Sequence, residues 1–503
     1  MEQKNKKKIS TQTIIKLLLA VVLLGLSAFL LKGDVWTFWT WWLLAGVMGF
    51  AAMPVTGRLF WRFEDKGWIF SKVLAIAATG FLTWFLTAIR LIPFNALTCA
   101  AVTILCAVIC FFLLRKESKE KTECFPVDRI SLIYWEELLF FLAFLMWTYL
   151  AGFRPAAYGT EKFMDYGFME AMMRSTTLPA RDLWYSEGHI NYYYGGQYFA
   201  VFLTKLSHTK VELTYNLMRT FVAGLAFAMP FSLVYQMMSD RMKGLQKSEK
   251  VIKGLPFAAG FTAGTAVSIA GNMHYVIYAQ IIPLIEKLTG KEVSSYWFPD
   301  ATRYIGYNPY REEDRTIHEF PCYSFVLGDL HAHVVNIMFV LLVIALLYVW
   351  LRGVRKKTVP VETSMKDGKF WKEQLLMPHL LVISVLLGMF QWTNFWDFVI
   401  YYVVTLGTVL FANIIRFQGK IKKIMVVTFA QMAEIYLLAY LVILPFTLQF
   451  DTMVDGIGIA KYHSYFYQLL VLWGLPAVLT ITFVISILWE KLRGMEHKSL
   501  YRL

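Results

Sequence analysis

The residues able to do chemistry fall in a few short stretches of an otherwise apolar chain. The first reads EKFMDYGFMEAMMRSTTLPARDLWYSEGHINYYYGGQYF, from Glu161 to Phe199. Asp165 opens a short helix running to Arg174; its carboxylate is either a general base or a helix N-cap. The Met and Phe positions of that helix would lie flat on a membrane. Asp182, Trp184, Glu187 and His189 precede Asn191, Tyr192, Tyr193 and Tyr194. Three consecutive tyrosines cannot all face one way. They offer stacking surfaces and hydroxyls to a polar ligand such as a sugar, or serve as interfacial anchors. Gly195 and Gly196 then allow close approach of backbone or ligand.

The second stretch, HEFPCYSFVLGDLHAH from His318 to His333, holds Glu319, Asp329, His331 and His333. On a helix, Asp329 and His333 share a face. In extended chain, His331 and His333 share a side. Either arrangement suits a divalent cation, with Asp329, His331 and His333 as its ligands, or a bound phosphate. The bland alternative is a polar network packing two loops together. The spacing is not HExxH, which argues against a zinc protease. A third stretch places Asn394 and Asp397 at a membrane edge, either completing a site or capping the next helix. The segment from Asp451 to His463, with Asp455 and Lys461, has the polarity of a lid. Arg219 and Glu434 fall inside apolar segments, where charge suggests function. Arg219 and Lys205 are candidates to meet a phosphate, and Glu434 to bond a neighbouring helix.

These groups must be carried by membrane helices. Of 503 residues 57% are hydrophobic and 17% aromatic, above the range of soluble domains. Apolar segments long enough to cross a bilayer are expected near 13–31, 35–53, 69–89, 94–114, 132–152, 213–238, 257–283, 334–351, 378–392, 395–415, 424–446 and 465–489. The fold class is therefore an all-α polytopic membrane protein of about twelve transmembrane helices. Gly195 to Leu206 is read as a re-entrant or surface helix. It is short for a span, and counting it would put Arg241 to Lys253 outside.

With that choice every basic cluster lies inside, together with both termini. These clusters are Lys4 to Lys8, Arg58 to Lys66, Arg115 to Lys121, Arg241 to Lys253, Arg352 to Lys357, Arg416 to Lys423, and Lys491 to Lys498. The long loops 153–212 and 284–333 then lie outside, with the chemistry-bearing motifs. The same distribution explains the net charge of +14 without a nucleic-acid partner, because the cations flank apolar segments. The N-terminal run is read as an uncleaved first helix. Cys99, Cys106 and Cys110 read as packing residues, and the five cysteines form no CxxC motif.

Taken in order, MDYGFMEAMMRS, INYYYGGQY, HEFPCYSFVLGDLHAH and TNFWD resemble a family of polytopic membrane proteins named for its YYY motif, the DUF2298 type. The resemblance covers roughly residues 130–465. It divides the chain into an N-terminal region of four helices (1–131), a family core (132–465) and a final helix with its tail (466–503). That family in turn resembles polytopic glycosyltransferases of the GT-C class. The resemblance implies a polyprenyl-phosphate-sugar donor and an acidic residue in the first long outer loop, a position that falls on Asp165. Five spans precede that loop here, four of them ahead of the family core, whereas GT-C modules commonly place it after the first helix.

The expected function is transfer of a sugar from the lipid-linked donor to an acceptor outside the membrane, where no nucleotide sugars exist. Asp165 would act as base, with Glu319 and Asp329 as further catalytic acids. Arg174, Lys205, Arg219 or a bound cation would meet the phosphate. Trp184 and Tyr192 to Tyr194 would line the sugar or acceptor site, with Asp182, His189, Asn191, Asn394 and Asp397 as further substrate-binding residues. The rivals are a lipid or glycolipid transporter, expected to carry polar residues through its spans, and a metal-dependent membrane hydrolase.

Overall fold

The computed structural model describes residues 10–120, 124–243, 249–354, 365–452, 456 and 458–493, without the side chains of 114–120 and 249–253. Lys4 to Lys8, Lys121, Lys247, Arg355 to Lys357, Asp455 and Lys498 lie outside the described residues. Every described element is helical apart from two isolated bridges, Arg181 with His189 and Tyr307 with Tyr310.

The helices are α1 (Thr11–Leu31), α2 (Val35–Leu59), α3 (Trp68–Ala88), α4 (Ala96–Glu120), α5 (Ile130–Ala151), α6 (Lys162–Arg174), α7 (Gly195–Ser207), α8 (Val211–Met242) and α9 (Glu249–Ser268). They continue as α10 (Ile282–Leu288), α11 (Pro321–Leu327), α12 (Ala332–Val354), α13 (Gly368–Leu375), α14 (Pro378–Thr393), α15 (Phe395–Phe417), α16 (Ile421–Thr447) and α17 (Phe466–Arg493). Among the described residues, nine stretches are long and apolar enough to cross a membrane, or ten if α13 and α14, bent by 52°, form one span. The first of the nine joins α1 and α2, which Lys32 separates with a left-handed φ of 50°.

Two of the twelve expected segments behave differently. The segment 257–283 is not one helix. α9 stops at Ser268, and an Ala-Gly-Asn run follows, in which the Asn272 side chain accepts from the His274 N–H. Residues 276–281 then form a π-helical turn. The other, 378–392, is a 16-residue helix started by Pro378, whose ring suits a first helical turn.

The chain forms two compact units. The first comprises residues 1–268 and 325–451, so the four N-terminal helices share a unit with most of the core. Its centre is aromatic. Trp84 of α3 stacks on Trp392 of α14 with centroids 4.3 Å apart, and Tyr194, Tyr198 and Phe199 close around Trp392. α7 is buried from Gly195 to Lys205. Its 13 residues reach only ~20 Å, too short for a span. A Cβ on Gly195 would lie 2.7 Å from Thr393, and one on Gly196 3.3 Å from Val335, so the glycine pair serves backbone packing. On α3, Gly80 admits the Phe199 ring and accepts from the Tyr198 hydroxyl at 2.7 Å.

The second unit, residues 269–324 and 452–503, packs Val471 and Leu472 of α17 against Tyr304. It encloses a cavity of about 450 Å³ lined by His274, Tyr278, Tyr296, Asp300, Arg303 and Tyr304 among others. Burial lowers the His274 imidazole to about 4, so that ring is neutral.

Candidate functional site

The cluster that best supports chemistry is built by α6, α7, the first turns of α8 and the turn that leads into α12. The cap of α6 is Glu161, not Asp165, which sits further into its first turn. Asp165 is fully buried. Its Oδ1 accepts from Gln197 Nε2 of α7 at 2.7 Å, and the same amide donates to the Leu330 carbonyl at 3.0 Å. Its Oδ2 is buried with no hydrogen-bond partner. Loss of solvent pushes this carboxyl up to about 7, against the pull of a nearby His331 charge and the Gln197 bond.

The turn before α12 owes its shape to Gly328, at a φ of +95° that disfavours side chains. A Cβ there would lie 2.7 Å from an Arg219 Nη and 3.2 Å from Lys162 Nζ. The absence of a side chain therefore leaves room where two cations meet. Arg219 is 3% exposed and donates to the Phe325 carbonyl at 2.6 Å and to Asn216 Oδ1 at 2.8 Å. Burial, and then the Arg219 charge, lower the Lys162 ammonium from its ordinary value. Tyr215 ties the turn to α8, its hydroxyl meeting the Gly328 carbonyl and the Leu330 N–H.

Asp329 accepts from Thr160 Oγ1 on both oxygens, at 2.6 and 2.7 Å. His331 Nε2 lies 3.2 Å from Glu161 and 3.8 Å from Asp329. Glu161 is 59% exposed and the His331 side chain 19%, so the acids lead from solvent inward. Two carboxylates therefore flank one imidazole nitrogen. His333 lies on α12 with its ring 5.6 Å from that of His331.

Of the residues singled out in the sequence, Asp165, Asp329, His331 and Arg219 come together, with His333 beside them. Tyr192 belongs with this group. Burial raises its hydroxyl pKa and the charges of Glu161 and Asp165 raise it further. The other tyrosines diverge. Tyr193 packs on Phe450, and Tyr194 is buried with its hydroxyl accepting from Trp84.

The remaining residues have local partners. Arg174 is exposed and pairs with Glu170 one turn back. Asp182 accepts from the Trp184 and Tyr185 N–H groups, an Asx turn. Trp184 is exposed and packs edge-on to Phe163 and Phe168. His189 is bridged to Arg181. Asn191 exchanges two hydrogen bonds with the backbone of Asp451. Lys205 donates to the Met173 carbonyl, closing the end of α6. Asn394 heads α15, but its side chain donates to Asp397, which also accepts from Asn336. Glu319 belongs to the second unit and accepts from Ser324.

Four members of the cluster were not picked from sequence. Thr160, Glu161 and Lys162 lie just ahead of Phe163 and the MDYG motif, and Gln197 follows the glycine pair. Ionisable groups in or beside spans were also passed over. Lys72 of α3, fully buried, pairs with Glu137 of α5 at 3.0 Å, and Trp42 and Trp68 donate to the same carboxylate. Glu136 and Asp65 are buried as well. The charged letters inside apolar runs were the available signal. Glu434 of α16 has a buried oxygen with no hydrogen-bond partner.

No curated protein and no solved structure matches the chain. The model of one family, described as uncharacterized membrane protein (DUF2298), matches residues 78–503, from within α3 to the final residue. With that match, the motif order and the helical architecture in agreement, the chain belongs to the DUF2298 family of membrane proteins.

Proposed function

We propose that the chain is a GT-C-like glycosyltransferase that moves a sugar from a polyprenyl-phosphate-linked donor to an acceptor hydroxyl on the extracytoplasmic side. One observation carries this reading. A buried carboxylate with a free oxygen and a pKa of about 7 shares a cluster with Lys162 and Arg219, two cations meeting over a glycine. In the reaction the acceptor oxygen bonds to the anomeric carbon, whose bond to the phosphate oxygen breaks. The phosphate leaves with the electron pair, and the acceptor proton passes to Asp165. A base with a pKa near the working pH contributes a factor of about 10²–10⁴. Lys162 and Arg219 offset the charge growing on the leaving phosphate. Asp329, His331 and His333 are the residues that would hold a divalent cation, which would add Lewis-acid stabilisation of the same oxygens.

The test uses purified protein in lipid with radiolabelled polyprenyl-phosphate sugars. Wild type should bind donor and release sugar to an acceptor, and Asp165→Asn should bind donor without turnover. Equal turnover by the variant would remove Asp165 from the chemistry, and failure of folded wild type to bind any such donor would end the reading. Transport is the second reading, favoured by buried Lys72 with its Glu137 partner and by buried Glu136 within the spans. Movement of intact donor across proteoliposomes, without sugar transfer, would select it.

A further inference from the structure

At the other end of α12 from His331, the first unit holds a cavity of about 920 Å³. Its wall contains residues at or near the ends of four candidate spans: Leu59 of α2, Leu113 of the span within α4, Val354 of α12 and Arg416 of α15. The cavity therefore opens at the level of a membrane surface. Much of the lining is apolar, including Val55, Trp350, Phe370 and Leu376.

The polar part is cationic. Arg416 is 5% exposed, and its two terminal nitrogens are held by Asn413 and Gln374 at 3.2 and 2.7 Å. Its Nε–H is buried without a hydrogen-bond partner. Arg58, half-buried, gives one nitrogen to the Leu113 carbonyl at 3.0 Å and keeps its other donors. α14 begins at Pro378 in the same wall, so its positive end adds to the field. His379 is engaged with the Leu59 carbonyl at 2.7 Å. Among the described residues the lining holds one carboxylate, Glu373, which is exposed.

A half-apolar cavity at a membrane surface with two arginines matches an amphiphile whose head is an anion. Arginine's planar fork suits phosphate oxygens in particular. Lys66, Lys420, Lys422 and Lys423 lie at the same helix ends, which by the positive-inside rule puts this end in the cytoplasmic leaflet, where anionic lipids reside. We infer that this cavity seats the phosphate headgroup of an anionic membrane lipid, with Arg416 and Arg58 as its ligands and the acyl chains on the apolar wall. The site is independent of the sugar chemistry proposed above.

The experiment is lipid binding to delipidated full-length protein in detergent, read by native mass spectrometry and by the melting midpoint. The probes are phosphatidylglycerol, phosphatidylcholine and inorganic phosphate. Wild type should retain phosphatidylglycerol in preference to phosphatidylcholine. Arg58→Gln should weaken that binding about tenfold, the size of a charge-assisted hydrogen bond, and Arg416→Gln at least as much. Lys422→Gln, exposed and outside the lining, should bind as wild type does. Arg58→Gln keeps the test sharp if Arg416→Gln does not fold. Equal retention of both lipids, an unchanged Arg58→Gln, or a loss in Lys422→Gln equal to that in Arg58→Gln would overturn the proposal. Inorganic phosphate that alone reproduced the phosphatidylglycerol shift would overturn the lipid assignment.

Discussion

Replacing Asp165 with Asn removes a titration, and the structure fixes its direction and size. The carboxyl ordinarily titrates near 3.8 and is pushed up to about 7 by burial. A gap of roughly three units corresponds to about 4 kcal/mol at 1.36 kcal/mol per unit. The folded state holds the proton more tightly than the unfolded chain. Its contribution is therefore fully present below about pH 4 and is lost as pH rises through about 7. Wild type should lose melting temperature across that window relative to Asp165→Asn, which keeps an isosteric amide against Gln197. Activity moves the opposite way, because the base works deprotonated. Turnover should rise roughly tenfold from pH 6 to pH 8, following the deprotonated fraction. Parallel melting profiles for the two proteins between pH 4 and pH 8 would refute the burial argument. A rate independent of pH around 7 would refute the base.

Gly328→Ala puts a methyl against Arg219 and Lys162 at a left-handed φ, and should cost about 1–3 kcal/mol; chemical denaturation measures it, and donor binding should fall with stability. Glu137→Gln leaves Lys72 buried without its counter-charge and should cost about 3–5 kcal/mol. A melting midpoint within a degree of wild type would show that the Trp42 and Trp68 bonds suffice. A chelator should lower turnover if Asp329, His331 and His333 hold a divalent cation, and His331→Gln should then be insensitive to it. A tag placed between Lys243 and Glu249 should be reached only from the cytoplasm; labelling in intact cells would invert the topology.

The spans were legible because length and apolar content alone decide what can cross a bilayer. The end of α9 was harder to see, since Ile269 to Met273 is apolar enough to continue the run while Gly271 and Asn272 break the helix. In the tyrosine triplet, divergence was foreseeable, but not which ring goes where. Tyr194 is taken inward by α7, whose burial depends on Trp84 and Trp392, far off in sequence. Asp165 and His331 stood out by type. Gln197 and Lys162 are ordinary letters, made partners by contacts spanning 32 residues or more, as with Gln197 and Leu330. Asp182 and Arg174 illustrate the opposite case. Both are polar and near the motif, yet short-range rules, an Asx turn and an i,i+4 pair, account for them.

The enclosure of α7 has a consequence for how the chain is made. Its neighbours Gly80 and Trp84 leave the ribosome before it, but Val335, Trp392 and Thr393 follow by well over a hundred residues. Until that length has been synthesised, the apolar faces of α7 and the amide of Gln197 have no complete surroundings. The Asp165 site is therefore a late product of biogenesis, its packing complete only once α14 has been made. Chains ending before Pro378 should accumulate as protease-sensitive, chaperone-bound species, while chains that include α14 and α16 should become resistant between Glu161 and Ser207.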